Sequence, residues 1–291
     1  MPHAGRVTPR EDAAVGRQGA TDVGARGRAA LGRAAQVLFD VVLPRSCAGC
    51  GREDVGLCAA CRDVWRGPGA RVEAAAPRLD RLDGTTPFPV WAVVPYAGGA
   101  RSVVVAWKDR GRRDLHPVLR GAVAREAARR RSALAALPPD LALVVVPVPS
   151  TARAVRGRGA DLVADLAATV AARLAVPCVP LLRVRHRKRD QVGLGARDRA
   201  RNLRGALRVD PRAARATRRR APGASRGSRG PAAAGPAVVA VLVDDVVTSG
   251  ATLAACADAL ATAGVLVVAA ICLAATPAPG AAARAFPLAP G

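Results

Sequence analysis

Two adjacent aspartates, Asp244 and Asp245, close an unbroken apolar run from Val238 to Val243, and Thr248-Ser249-Gly250-Ala251-Thr252 follows two residues later. Neighbouring carboxylates repel, and burial opposes their ionisation, so such a pair is costly unless a ligand uses it. The turn behind them is small and rich in hydroxyls. As a strand-to-helix junction it presents unpaired backbone N–H groups and the positive end of a helix dipole, which suits a phosphate. Gly250 can adopt whatever φ so tight a turn requires. Acids for hydroxyls beside a cradle for phosphate fit a sugar phosphate, with hydroxyls or a hydrated cation sharing the acids. The plainer reading, a Thr/Ser-capped helix with solvated aspartates, explains the hydroxyls but not two acids abutting an apolar strand.

A second cluster lies near the N-terminus. Cys47, Cys50, Cys58 and Cys61 form two CxxC hooks separated by seven residues. That spacing can place four thiolates around one Zn²⁺, and four identical ligands leave no open position, so the site is expected to be structural. A redox dithiol pair is the rival reading. Cys178, Cys256 and Cys272 fall in apolar segments and read as core.

Basic residues gather in two further places. Val144 to Gly159 ends an apolar run in Pro-Val-Pro-Ser150 and then sets Arg153, Arg156 and Arg158 close behind, where they could neutralise a pyrophosphate or simply sit on a strand–helix connection. Arg183 to Arg208 is a dense basic stretch, either a solvated face or a binding surface.

Several elements must position these groups. Pro89–Tyr96, Leu141–Val148, Val238–Val243 and Val265–Leu273 read as strands, with Val176–Leu182 and Leu203–Val209 as shorter ones. Helices are expected over Arg101–Arg110, Leu115–Leu137, Asp161–Leu174 and Thr252–Ala263. Strands alternating with helices imply an α/β domain with a parallel sheet, spanning residues 88–275. Residues 29–68 read as a lead helix (Ala29–Leu43) and the cysteine module, and Val64–Thr86 as an irregular connector. Residues 1–28, the arginine-rich stretch 210–236 and the tail 276–291 have compositions expected to be disordered.

The chain has 291 residues and a net charge of +23, with Lys108 and Lys188 its two lysines. Near-exclusive use of arginine beside abundant Ala, Gly and Pro fits the codon bias of a GC-rich genome, while the charge itself suits a phosphorylated ligand or nucleic acid. No window is apolar for the length of a membrane span, and no secretory signal core is legible, so a reducing, cytoplasmic setting is expected.

VLVDDVVTSGAT resembles the phosphoribosyl-pyrophosphate (PRPP) motif of type I phosphoribosyltransferases. The resemblance implies that Asp244 and Asp245 face the ribose hydroxyls of PRPP, that Thr248, Ser249, Gly250, Ala251 and Thr252 wrap its 5′-phosphate, and that Mg²⁺ bridges ribose and pyrophosphate. More narrowly, the chain is similar to the ComF family, known from competence and DNA uptake, over roughly Pro44 to Ala275. Arg158-Gly159 matches that family's RxRGFNQ segment, although Ala160, Asp161 and Leu162 replace Phe, Asn and Gln. Gln191, Leu194, Asp198, Arg199, Asn202, Leu203 and Gly205 match its QxxLSxxERxxNLxGAF segment, with Gly195 for Ser. Tyr96, Lys108 and Gly111 match a Tyr…Lys-x-x-Gly segment, and the family also carries an N-terminal cysteine cluster. The fold so implied is the type I phosphoribosyltransferase fold preceded by a zinc module. Lys108, Ser150, Arg153, Arg158 and Arg199 become candidates to face the pyrophosphate. Two functions are then open: transfer of ribose 5-phosphate to an acceptor, or a non-enzymatic competence or recombination factor that meets single-stranded DNA or a DNA-uptake ATPase.

Overall fold

The computed structural model describes residues 46–79, 86–184, 206–220 and 238–277. The expected lead helix, the N-terminal tail, Arg199, residues 221–236 and most of the C-terminal tail lie outside them.

Runs such as Leu-Val-Val-Val and Val-Val-Ala-Val-Leu-Val are rich in β-branched residues and carry no polar alternation, which suits strands covered on both faces. They form the centre of a five-stranded sheet in the order β1 (Ala70–Arg71), β2 (Val90–Pro95), β7 (Val265–Ala275), β6 (Val238–Val247) and β3 (Ala142–Pro147). All pairs are parallel except β1 with β2. Cys178 adds a parallel bridge beside Val145, all that forms of the strand expected over Val176–Leu182. The chain instead makes a small antiparallel hairpin of β4 (Leu182–Val184) and β5 (Leu207–Val209).

Two apolar cores flank the sheet. The second cysteine hook leads into the short helix α1 (Ala59–Asp63), and on one face of the sheet Val145, Val241, Val243, Ile271 and Leu273 pack under α2 (Gly98–Asp109), α3 (His116–Ala135) and α5 (Leu162–Leu174). Helix α5 shows how the sequence achieves this. Leu162, Leu166 and Val170 recur every four residues and are fully buried, and each large aliphatic side chain so buried contributes about 1.5–3 kcal/mol. The Asp161 carboxylate caps its start, accepting from the Ala164 N–H at 3.2 Å. On the other face Val144, Val146, Ala240, Leu242 and Cys272 meet α7 (Ala251–Thr262) and the β4–β5 hairpin.

The connector before β2 is more ordered than its composition suggests: Val72, Ala76, Leu79 and Phe88 are buried in the second core. It is tied down by Glu126 of α3, a fully buried carboxylate that accepts from the Gly69 N–H at 3.0 Å and from Arg130 Nε at 2.7 Å. The expectation of disorder across 210–236 is overturned at its start, where α6 (Pro211–Arg220) forms. The signal was a capping pair. Asp210 accepts from the N–H groups of Arg212 and Ala213 at 3.0 and 3.3 Å, and Pro211 fits the first helical position. No helix among the described residues is long and apolar enough to cross a membrane.

Candidate functional site

Central strand β6 runs past its apolar stretch into Asp244 and Asp245, which stay paired with β7 and are buried at 9% and 5% exposure. Strand alternation sends them to opposite faces. Asp244 follows Leu242 toward Cys256 of α7 and Cys272 of β7, whereas Asp245 follows Val243 toward α2. The acid pair therefore straddles the carboxyl edge of the sheet. Each carboxylate accepts from the next backbone N–H, Asp244 Oδ1 from Asp245 at 2.8 Å and Asp245 Oδ1 from Val246 at 2.7 Å.

Their electrostatics differ. Asp245 Oδ2 is 2.5 Å from Lys108 Nζ, reached from the last turn of α2. Asp244 is pushed up to about 8, first by burial and then by the charge of Asp245, against the opposing pull of its backbone N–H bond and Lys108. A carboxyl so placed holds its proton near neutrality, and a cation or donor set that arrives favours the anion.

The turn after β6 ends at Gly250, which has φ +77° and begins α7 with no side-chain cap. The helix N-terminus thus keeps its dipole and leading N–H groups without a side chain over them. Thr248 is exposed, and Ser249 and Thr252 are half-buried. Glycine is required at 250 twice over. A Cβ there would lie 2.9 Å from Ala76 Cβ in addition to adopting left-handed backbone. The connector closes this side of the turn, since the Arg78 N–H donates to the Ser249 carbonyl at 2.9 Å. Composition alone gave no sign of that lid.

Strand β3 pairs with β6 in register up to Pro147 and Val243, and the Val148 N–H donates to the Val243 carbonyl at 2.9 Å. This carries Val148-Pro149-Ser150 to the same edge as the acid pair. Ser150 Oγ donates to Asp161 Oδ1 at 3.0 Å, so its hydroxyl braces the start of α5. Arg153, Arg156 and Arg158 lie on a short helix, α4 (Ala152–Arg158), that ends at Gly159. Arg153 and Arg156 are exposed, while Arg158 Nε turns back to the Ala154 carbonyl at 3.1 Å. The structure brings together Asp244, Asp245, Lys108 and the Thr248–Thr252 turn; Arg199 lies outside the described residues.

The cysteine expectation is met in geometry. The sulfurs of Cys47, Cys50, Cys58 and Cys61 all lie within 4.8 Å of one another. Cys50 and Cys58 are 3.7 Å apart, close to the about 3.8 Å between sulfurs that 2.3 Å bonds to a tetrahedral ion require. Burial raises the Cys47 thiol, but the backbone N–H groups of Cys50, Cys58 and Gly49 outweigh it and lower it to about 6. Burial, and hydrogen bonds that the Cys61 thiol donates to the other three sulfurs, raise Cys61. Such a set could hold a structural metal ion.

One groove of about 380 Å³ lies away from both centres, lined by Val209, Pro211, Arg215, Arg218, Thr262 and Gly264. It sits at the C-terminal end of α7, about 18 Å along that helix from Gly250. No protein-family model matches the chain, and no curated protein matches it.

Proposed function

We propose that this chain is a PRPP-binding protein of the ComF type, built on a type I phosphoribosyltransferase fold and stabilised by Zn²⁺ in its cysteine module. The observation that carries the reading is the buried Asp244–Asp245 pair at the carboxyl edge of β6, followed directly by the Gly250 turn and the uncapped start of α7. Open α/β sheets bind ligands at that edge, and an anion finds backbone donors at such a helix start.

In this reading the Thr248–Thr252 turn receives the 5′-phosphate, and the two acids receive the ribose hydroxyls from either side of the strand end. Mg²⁺, when bound, would neutralise pyrophosphate charge, and Asp244 and Asp245 are the acids that would hold it near the ribose. Lys108, now on Asp245, is the cation within reach of a leaving pyrophosphate. The chain's own part in any ribosyl transfer is positioning and charge neutralisation. Calorimetry with Mg²⁺ and PRPP tests this: saturable binding that Asp245→Asn weakens supports it, and no heat from well-folded protein overturns it.

A second reading, a non-enzymatic factor that binds single-stranded DNA or a DNA-uptake ATPase, draws on α6. Its Arg212, Arg215 and Arg219 are exposed at helical spacing, and no acid interrupts them within the helix. Pyrophosphate release from PRPP with a panel of bases, beside salt-titrated binding of single-stranded DNA, separates the two.

A further inference from the structure

Helix α2, which carries Lys108, is a poor helix on its own terms. It opens with Gly98-Gly99, runs through Val103-Val104-Val105, and has no side-chain cap at its start. Glycine costs about 1 kcal/mol in a helix, and β-branched residues lose rotamers there, so this helix depends on what packs against it.

What packs against it is the cysteine module. At the N-terminal end the backbones nearly touch: a Cβ on Gly99 would lie 3.2 Å from the Gly49 carbonyl oxygen. A Cβ on Gly49 would in turn lie 2.7 Å from Cys61 Sγ and 3.5 Å from Val103. Along its length, Cys47, Leu57, Cys58 and Trp65 share a buried core with Val103, Val104 and Trp107. Just past the C-terminal end, Arg112 donates to the Gly56 carbonyl at 2.8 Å and the Ser46 carbonyl at 3.3 Å, with its guanidinium fixed by Asp114. The module grips α2 at both ends, and Lys108 projects to Asp245 from between the grips. A stretch this short around four thiols has too little core to hold its shape without an ion.

We infer that the four-cysteine module is the positioning device for Lys108: a metal ion in the cluster fixes the module, the module fixes α2, and α2 holds Lys108 against Asp245. Arg112 is the positioning residue at the C-terminal grip. The consequence for ligand rests on the PRPP reading above, and removal of the metal then weakens PRPP through Lys108, although no cysteine touches the ligand.

The test uses the full chain and its two lysines. Acylation by an amine-reactive ester, read by mass spectrometry, gives the ratio of Lys108 to Lys188 modification. That ratio is expected to rise several-fold when a chelator removes the metal, in Cys50→Ser, and in Arg112→Gln with the metal still bound. An unchanged ratio in all three overturns the inference. Should the metal-free chain unfold as a whole, Arg112→Gln decides alone. In calorimetry, Arg112→Gln is expected to weaken PRPP by a factor between about 3 and 100 in the chain with Lys108 and by no further factor in Lys108→Ala. Equal losses in both backgrounds also overturn it. A loaded wild-type chain that ignores PRPP ends the phosphoribosyl reading, and the labelling ratio still decides this one.

Discussion

Lys108 Nζ and Asp245 Oδ2 meet at 2.5 Å across the carboxyl edge of the sheet, the lysine side chain 36% exposed and the aspartate 7%. The pair joins a helix that leans on the cysteine module to the strand that carries the acid pair. Its asymmetry sets an order of mutational effects. Truncating the lysine strands a buried carboxylate, whereas neutralising the aspartate removes the charge that needed a partner.

Lys108→Ala is therefore expected to cost about 2 kcal/mol, below the about 3–5 kcal/mol of a fully buried pair because the ammonium keeps contact with water. Asp245→Asn should cost less stability, yet weaken PRPP more. Denaturant unfolding beside calorimetry measures both, and the reverse order of stabilities would argue against this account of the pair.

Asp244 predicts a pH dependence. Its folded value is raised above the ordinary carboxylate range to about 8, so between about pH 4 and 8 the native state holds a proton that the unfolded chain has released. Its contribution to stability therefore falls as pH rises through that window and levels off above it. Asp244→Asn should flatten this part of the melting-temperature profile. If PRPP with Mg²⁺ requires the anion, binding releases a proton and affinity rises toward pH 8. Calorimetry in buffers of different ionisation heat reads that proton directly.

Gly250→Ala combines left-handed backbone with a 2.9 Å approach to Ala76 Cβ. A loss of about 2–3 kcal/mol is expected from the two effects together. Ala76→Gly in the same chain should recover the Cβ–Cβ part of the steric cost and leave the rest, since the Ala76 carbonyl oxygen at 3.1 Å and Leu79 Cβ at 3.2 Å still crowd the new methyl. Chemical denaturation of the single and double variants checks it; no recovery would place the cost in φ and in these two remaining contacts.

Metal analysis of reduced, freshly purified protein is expected to find about one Zn²⁺ per chain, and Cys58→Ser to lose it. A stoichiometry near zero with four titratable thiols at these positions would favour the dithiol reading.

Much of this architecture was legible in the residues. Val-rich runs without alternation announced β3, β6 and β7, because β-branched side chains with no polar face suit a doubly covered strand. The paired hooks of Cys47, Cys50, Cys58 and Cys61 announced a four-sulfur cluster, because its ligands are close in sequence. What stayed hidden depends on contacts between distant segments. Nothing in Ala76 or Leu79 says that they cover Gly250, and nothing in Gly49 says that it abuts Gly99. The split of Asp244 and Asp245 across the sheet follows from strand period 2, but only once β6 is known to continue through them. Helix α6 was obscured by composition: arginine density suggested a loop, while the Asp210-Pro211 start and the burial of Ala214 decided otherwise.

Behind the acid pair stand Cys256 and Cys272, fully buried thiols driven upward first by that burial and then by the charge of Asp244. They are shielded from alkylating agents for as long as the sheet stays closed. Incorporation of iodoacetamide at these two sulfurs thus serves as a built-in tamper seal, reporting the opening of the central strands separately from any event at the N-terminal hooks.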